Sequence, residues 1–142
     1  MNFDHSQNMR SVSPDVISGD RVNPRMNKPI RIDPVEIRRT LSILSKPEQV
    51  FELRIQDART KDSSRYPFLA SGYFNNSESL IKALSTLHAA RGIYITLQPC
   101  NPVLLARAQN RLRTANEMRN APATSDAHIV VYRWLLIDVD PD

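Results

Sequence analysis

The sequence predicts an α+β domain with a small mixed sheet backed by helices. Helical and strand-like hydrophobic periods alternate along most of the chain, in the order helix, strand, helix, strand, helix, strand. The apolar fraction of 41% and the charged fraction of 24% are those of an ordinary globular protein. A length of 142 residues is enough for one domain with its own core.

The first part of the chain differs from the rest. Residues 1–30 show no sustained apolar period and are rich in Asn, Ser, Asp, Pro and Arg. We predict a disordered or loosely ordered basic arm over residues 1–30 and a folded domain over residues 31–142. The basic residues of the arm could contact phosphates, although a solvated tail is the simpler interpretation.

The first helix and the first strand have clear signals. Asp33 is a capping residue, Pro34 suits the first helical position, and the inner face would carry Ile37, Leu41 and Leu44. A half-buried strand should follow around Phe51–Ile55, with Glu52 and Arg54 on its polar face. The polar stretch 57–65 should be a loop.

Two further helices and two strands are predicted downstream. Asn75-Asn76-Ser77 should start a helix that runs to about Ala90, and a strand should cover 93–97. Asn101-Pro102 should start a third helix, with Arg107 and Arg111 together on one face. Residues 114–127 should be a long loop. The apolar run from about Ile129 to Val139 should be a central strand.

Composition narrows the class of protein. The single cysteine cannot form an intramolecular disulfide, which favours a reducing, cytoplasmic setting. No stretch approaches the roughly 18 consecutive apolar residues of a membrane span, so no membrane partner is expected. The net charge of +4 would attract a polyanion such as nucleic acid. An ordinary basic protein would carry the same charge.

Two aspartates at the end of the last predicted strand could do chemistry. Because side chains alternate across a strand, Asp138 and Asp140 should share one face, with Cα atoms roughly 6.6 Å apart. Two carboxylates so placed can share hard divalent cations such as Mg²⁺. The run Asp-Val-Asp-Pro-Asp could equally be a simple turn.

The surrounding residues carry a resemblance to a known family. The run Arg133-Trp134-Leu135-Leu136-Ile137-Asp138-Val139-Asp140-Pro141 closely resembles the first catalytic motif of the archaeo-eukaryotic primase superfamily, in particular the DNA primase-polymerases of bacterial phages, plasmids and other mobile elements. Upstream segments fit the same family in the same order, so that the resemblance covers about residues 34–141. These segments are Phe51-Glu52-Leu53-Arg54-Ile55, Gly72-Tyr73-Phe74, Gly92 to Pro99, Asn101-Pro102 with the helix after it, and Thr124-Ser125-Asp126-Ala127.

The resemblance implies a metal-dependent nucleotidyl transfer. Asp138 and Asp140 would bind catalytic Mg²⁺ or Mn²⁺, and a 3′-hydroxyl would attack the α-phosphate of a nucleoside triphosphate on a DNA template. Weaker candidates for nucleic-acid or nucleotide contact are Arg54, Arg107, Arg111 and Arg133, for which solvated faces or ion pairs are open alternatives. Tyr73, Phe74 and Tyr94 could stack on bases, although core packing explains them more simply.

The sequence also departs from the family pattern. In that superfamily a histidine motif and a third acidic motif lie downstream of the first pair, and these 142 residues contain neither. We therefore expect an N-terminal fragment of a DNA primase/polymerase that is inactive alone and is completed by a downstream primase half or a helicase. The alternatives are a non-catalytic nucleic-acid-binding or adaptor module on the same scaffold, and a small α+β protein with a terminal turn.

Overall fold

A computed structural model of the chain describes residues 30–60, 68–135 and 137. Asp138, Asp140 and the predicted arm before Ile30 lie outside the described residues. The α+β class is confirmed. The helices are α1 (Pro34–Leu44), α2 (Ser77–Ser85) and α3 (Ala115–Asn120), and the strands are β1 (Phe51–Thr60), β2 (Phe68–Phe74), β3 (Leu87–Ala89), β4 (Gly92–Ile95) and β5 (Arg111–Leu112). Two 3₁₀ helices cover Pro102–Arg107 and Asp126–His128.

The long strand β1 is the centre of the sheet. One edge of β1 pairs with β2, and the other edge pairs with β4 near its middle and with β3 near its end. The short strand β5 extends the sheet beyond β2. These ladders are all antiparallel, so the sheet that we expected to be mixed is antiparallel over the described strands.

The two faces of the sheet have different surroundings. Phe51, Leu53 and Ile55 alternate along β1 and pack with Leu41 of α1 and Leu80 of α2 in the main hydrophobic core. The residues between them point to the opposite face, which α1 and α2 do not cover. No helix within the described ranges is long and apolar enough to cross a membrane.

The predicted starts of α1 and α2 are confirmed by their caps. The Asp33 carboxylate accepts hydrogen bonds from the backbone N–H groups of Val35 and Glu36, and Asn76 accepts one from Ser79. The predicted end of α2 near Ala90 was wrong. The helix ends at Ser85, because residues 87–89 form β3 and pair with the end of β1.

The predicted loop at 57–65 was wrong over residues 57–60, which belong to β1. Asp57 has a φ of 51°, and the register between β1 and β2 shifts between Ile55 and Ala58. This β-bulge accommodates an extra residue, so the strand continues through a polar sequence that we interpreted as a break.

The third helix was predicted too long. Asn101 caps a 3₁₀ helix that ends at Arg107, and Asn110 then adopts a φ of 54° and turns the chain into β5. Arg111 therefore lies on a strand and does not share a helix face with Arg107. The predicted loop over 114–127 contains α3, which begins with a capping box between Thr114 and Glu117.

The predicted central strand from Ile129 was wrong over its described residues, 129–135 and 137. Ile129 forms one isolated bridge with Cys100, and no strand is assigned after it in this range. The side chain of Gln98 accepts hydrogen bonds from the backbone N–H groups of Arg133 and Trp134, at 2.7 and 3.1 Å. The side-chain amide of Gln98 thus binds backbone N–H groups that would bind a neighbouring strand in a β-ladder. In addition, Leu135 is 83% exposed, whereas a central strand would bury it.

Candidate functional site

The face of the sheet opposite the main core forms the floor of a cleft of about 650 Å³. Residues from β1, β2 and β4 line the floor, and the segment 123–129 lines the rim together with Met118 of α3. Its volume lies within the roughly 300–1,000 Å³ that is common for small-ligand sites. The cleft is therefore large enough to hold a small ligand.

A buried glutamate organises the floor. Glu52 is fully buried, and each of its two carboxylate oxygens accepts two hydrogen bonds. Oε1 accepts from Ser71 Oγ at 2.5 Å and from Arg113 Nη2 at 3.2 Å, while Oε2 accepts from Arg54 Nε at 2.9 Å and from the Thr124 N–H at 3.1 Å. Burial raises the pKa of Glu52, but hydrogen bonds from Ser71, Thr124 and Arg54 outweigh it and hold the pKa below its ordinary value.

A buried arginine lies beside this glutamate. Arg113 donates to the carbonyl of Ala121 at 2.8 Å and to Ser71 Oγ at 2.8 Å, and its guanidinium lies 5.4 Å from the centre of the Tyr73 ring. Its Nε is buried without a hydrogen-bond partner among the described residues. Burying this cation is costly, and the charge of Glu52 compensates for part of that cost.

Arg54 connects the floor to the rim. Its Nε donates to Glu52, and its Nη2 donates to the carbonyl of Thr124 at 2.7 Å. The side chain is 41% exposed, so its outer edge faces the cleft. Two hydrogen bonds therefore fix the guanidinium in one orientation while part of it stays open to a ligand.

The rim is held in place by its own contacts. The His128 carbonyl accepts from the Asn101 N–H at 2.8 Å, and His128 Nδ1 accepts from the Ser125 N–H at 3.1 Å. Cys100 Sγ lies 3.3 Å from Thr96 Oγ1 and 3.9 Å from Thr124 Oγ1. These contacts tie the rim to the end of β4, so the rim and the floor form one packed unit.

The weaker site candidates do not form one patch. Arg54 lines the cleft, whereas Arg107, Arg111 and Arg133 do not. Arg107 donates to the carbonyl of Pro122 at 3.4 Å and Arg133 donates to Gln49 at 2.6 Å. Arg111 forms an ion pair with Glu117 at 2.5 Å, in which the pKa of Glu117 falls to about 2, mainly because of this guanidinium. The three therefore bind neighbouring protein groups.

Sequence reasoning missed Arg113 and Ser71. Arg113 lies just after the predicted third helix, where nothing in the pattern indicates burial. The signal that could have indicated a buried polar network was Glu52-x-Arg54. Two opposite charges on one face of a strand need hydrogen-bond partners when that face is covered. Of the candidate aromatic residues, Tyr73 and Phe74 are fully buried, whereas Tyr94 is 54% exposed in the cleft.

The described residues contain no group of three or more His, Cys, Asp or Glu side chains that could hold a metal ion. The two predicted ligands, Asp138 and Asp140, lie outside those residues. The binding of Mg²⁺ or Mn²⁺ therefore stays a prediction from the sequence.

Comparisons of the chain with protein-family models, curated proteins and solved structures found no match. The functional argument therefore depends on the cleft. The cleft offers the fixed, partly exposed guanidinium of Arg54 next to the exposed ring of Tyr94. This combination is suited to a ligand with both an anionic group and a flat ring.

Proposed function

We propose that this chain is the N-terminal part of a DNA primase-polymerase catalytic domain and that its cleft is the surface that faces nucleic acid. One observation supports the proposal above all. Three of the six sequence segments that resemble the family contribute residues to the same cleft or to its floor.

The convergence involves segments that are far apart in the chain. The segment 51–55 supplies Glu52 and Arg54, the segment 92–99 supplies Tyr94 and Thr96, and the segment 124–127 supplies the rim. Glu52 and Thr124, which form a direct hydrogen bond, are separated by 72 positions. The three segments thus lie on one face of the sheet, as a shared binding surface requires.

The cleft also has suitable electrostatics. The guanidinium groups of Arg54 and Arg113 and the carboxylate of Glu52 leave one excess positive charge at the floor, and Asp126 adds one negative charge on the rim. The cation of the floor that is partly exposed is that of Arg54. A cationic side chain beside an exposed aromatic ring is a common way to bind single-stranded nucleic acid. In the proposed domain, Asp138 and Asp140 would hold the Mg²⁺ or Mn²⁺ that supplies charge stabilisation during nucleotidyl transfer.

Primer extension tests the proposal. The whole natural reading frame that contains this chain is expressed as one protein and is assayed for template-dependent primer extension with Mg²⁺ or Mn²⁺. We expect extension that is lost in the Asp138→Asn/Asp140→Asn variant, and we expect none from the 142-residue chain alone. A longer protein that binds DNA but never extends a primer would contradict the enzymatic proposal and favour the adaptor alternative.

The metal claim can be tested on the chain itself. With two carboxylates as ligands, we expect Mg²⁺ or Mn²⁺ affinity in the roughly millimolar range. Calorimetric titration compares the wild type with the Asp138→Asn/Asp140→Asn variant. Identical isotherms would remove the two aspartates as metal ligands.

A further inference from the structure

We infer that the cleft binds one nucleotide unit, with the phosphate on Arg54 and the base against Tyr94. The inference rests on the proposed function for the kind of ligand, because that function makes nucleic acid or a nucleotide the expected partner. It does not depend on Asp138 and Asp140, because Arg54 and Tyr94 lie on described strands of the sheet.

The first support is the position of the two side chains. Arg54 on β1 and Tyr94 on β4 are direct partners in the antiparallel ladder. Side chains at directly opposite positions have Cβ atoms roughly 4.5–5.5 Å apart and lie on the same face. A ligand that contacts both must therefore carry an anionic group and a flat group close together, as a nucleotide does.

The second support is the state of Arg54. Its Nε and Nη2 are held by Glu52 and by the carbonyl of Thr124, while Nη1 has no hydrogen-bond partner among the described residues. A phosphate oxygen can accept a hydrogen bond from Nη1 without breaking either of the existing ones. Charge-assisted bonds from a guanidinium that is already fixed cost little ordering on binding.

The third support is the exposure of Tyr94. Its ring lies against the backbone of Gly92, where a Cβ atom would overlap the ring, and 54% of the residue is exposed. The glycine thus leaves room for the ring on the strand without burying it. An exposed ring on an open sheet face is a stacking surface for a base.

The charge of Arg54 indicates which way the nucleotide lies. Its guanidinium is fixed and its side chain is 41% exposed, whereas the buried Arg113 is paired with Glu52. The phosphate is therefore expected on Arg54, which leaves Tyr94 for the base.

Fluorescence anisotropy tests the inference on the 142-residue chain in buffer with EDTA. The probes are a short labelled thymidine oligonucleotide and an abasic oligonucleotide of equal length, with a nucleoside triphosphate and inorganic triphosphate as competitors. The variants are Tyr94→Ala and Arg54→Lys. Matched controls are Tyr132→Ala and Arg39→Ala, which alter exposed residues that do not line the cleft. Circular dichroism checks that each variant folds.

We expect Tyr94→Ala to weaken binding of the thymidine oligonucleotide about fivefold or more and to leave the abasic one unchanged, since the lost term is base stacking. Arg54→Lys should weaken both probes, because it retains charge but loses the planar donor fork. If the nucleoside triphosphate displaces the labelled oligonucleotide better than inorganic triphosphate does, the cleft binds a free nucleotide. If the two competitors are equal, the cleft binds a nucleotide within a nucleic-acid strand.

Unchanged affinity in folded Tyr94→Ala and Arg54→Lys proteins would overturn the inference, as would a wild type that binds neither oligonucleotide. Should Arg54→Lys fail to fold, Tyr94→Ala still decides through the comparison of the two probes. A longer wild-type protein that never extends a primer, together with intact cleft binding, would refute the proposed function alone. Primer extension by the longer protein without binding in the cleft would refute this inference alone.

Discussion

Replacing Glu52 by glutamine should strongly destabilise the fold, although the side chain keeps its shape. Both carboxylate oxygens of Glu52 face donors: Ser71 and Arg113 on one side, Arg54 and the Thr124 N–H on the other. A glutamine has one oxygen and one NH₂ group. With its NH₂ group toward Arg54 and the Thr124 N–H, glutamine loses two hydrogen bonds. With its NH₂ group toward Ser71, whose hydroxyl can accept instead, it loses the hydrogen bond from Arg113. In both orientations Arg113 loses its buried counter-charge.

The expected loss follows from this geometry. Removing one partner of a buried ion pair costs about 3–5 kcal/mol, because the remaining charge is left uncompensated. This is a large part of the roughly 5–15 kcal/mol that stabilises a typical domain. Glu52→Gln should therefore lower the denaturant midpoint sharply in equilibrium unfolding followed by far-UV circular dichroism.

The matched control is Glu78→Gln. Glu78 also binds an arginine through two hydrogen bonds, at 2.7 and 3.0 Å, but its side chain is 67% exposed. Solvent screens such a pair, so its removal should change the midpoint only slightly. A Glu52→Gln loss as small as that of the control would show that the buried network does not stabilise the fold as argued.

Two further predictions concern packing and pH. Gly72→Ala should destabilise the protein by at least about 1–3 kcal/mol in the same assay, because its Cβ would overlap the Arg111 carbonyl on β5. Gly92→Ala should cost less, since the atoms nearest to its Cβ belong to the Tyr94 ring, which can move. Glu52, Glu78 and Glu117 all have a lowered pKa, so the unfolded chain binds more protons than the folded one below pH 4.5. Unfolding titrations should show this stability fully present above pH 4.5 and lost as the pH falls toward about 2, the pKa of Glu117.

The fold could be predicted where local signals decide it. Asp33-Pro34 and Asn76 fix the starts of two helices through hydrogen bonds within a few residues, and the alternation at 51–55 identifies β1. Residues 87–89 were assigned to a helix because Leu87 continues its apolar period, yet β1 offers them a strand partner. Pairing of that kind depends on residues distant in sequence, which periodicity does not report.

The site shows the same division. Arg54 was a candidate because it lies on a polar strand face, but its fixed orientation depends on Thr124, 70 positions away. Arg113 carries no local sign of burial and becomes visible only when β5 brings it under the floor. The interpretation of Ile129–Val139 as a central strand rested on apolar content alone. In the structure, the backbone N–H groups of Arg133 and Trp134 bind the Gln98 side chain instead of a neighbouring strand.

The buried network beneath the cleft is more easily explained by positioning than by stability. Replacing a buried ion pair with apolar residues of similar size is often neutral or stabilising, so stability alone does not require Glu52 and Arg113. We therefore expect Glu52→Leu/Arg113→Met to destabilise less than Glu52→Gln alone, because it leaves no buried charge unpaired.

The same double variant should bind the thymidine oligonucleotide more weakly than the wild type. Without Glu52, Arg54 keeps only its bond to the Thr124 carbonyl, and the guanidinium loses its fixed orientation. Anisotropy and unfolding on one preparation separate the two roles. A double variant that is stable and binds normally would mean that Arg54 needs no anchor. One as unstable as Glu52→Gln would mean that the network holds the sheet face together rather than positions a side chain.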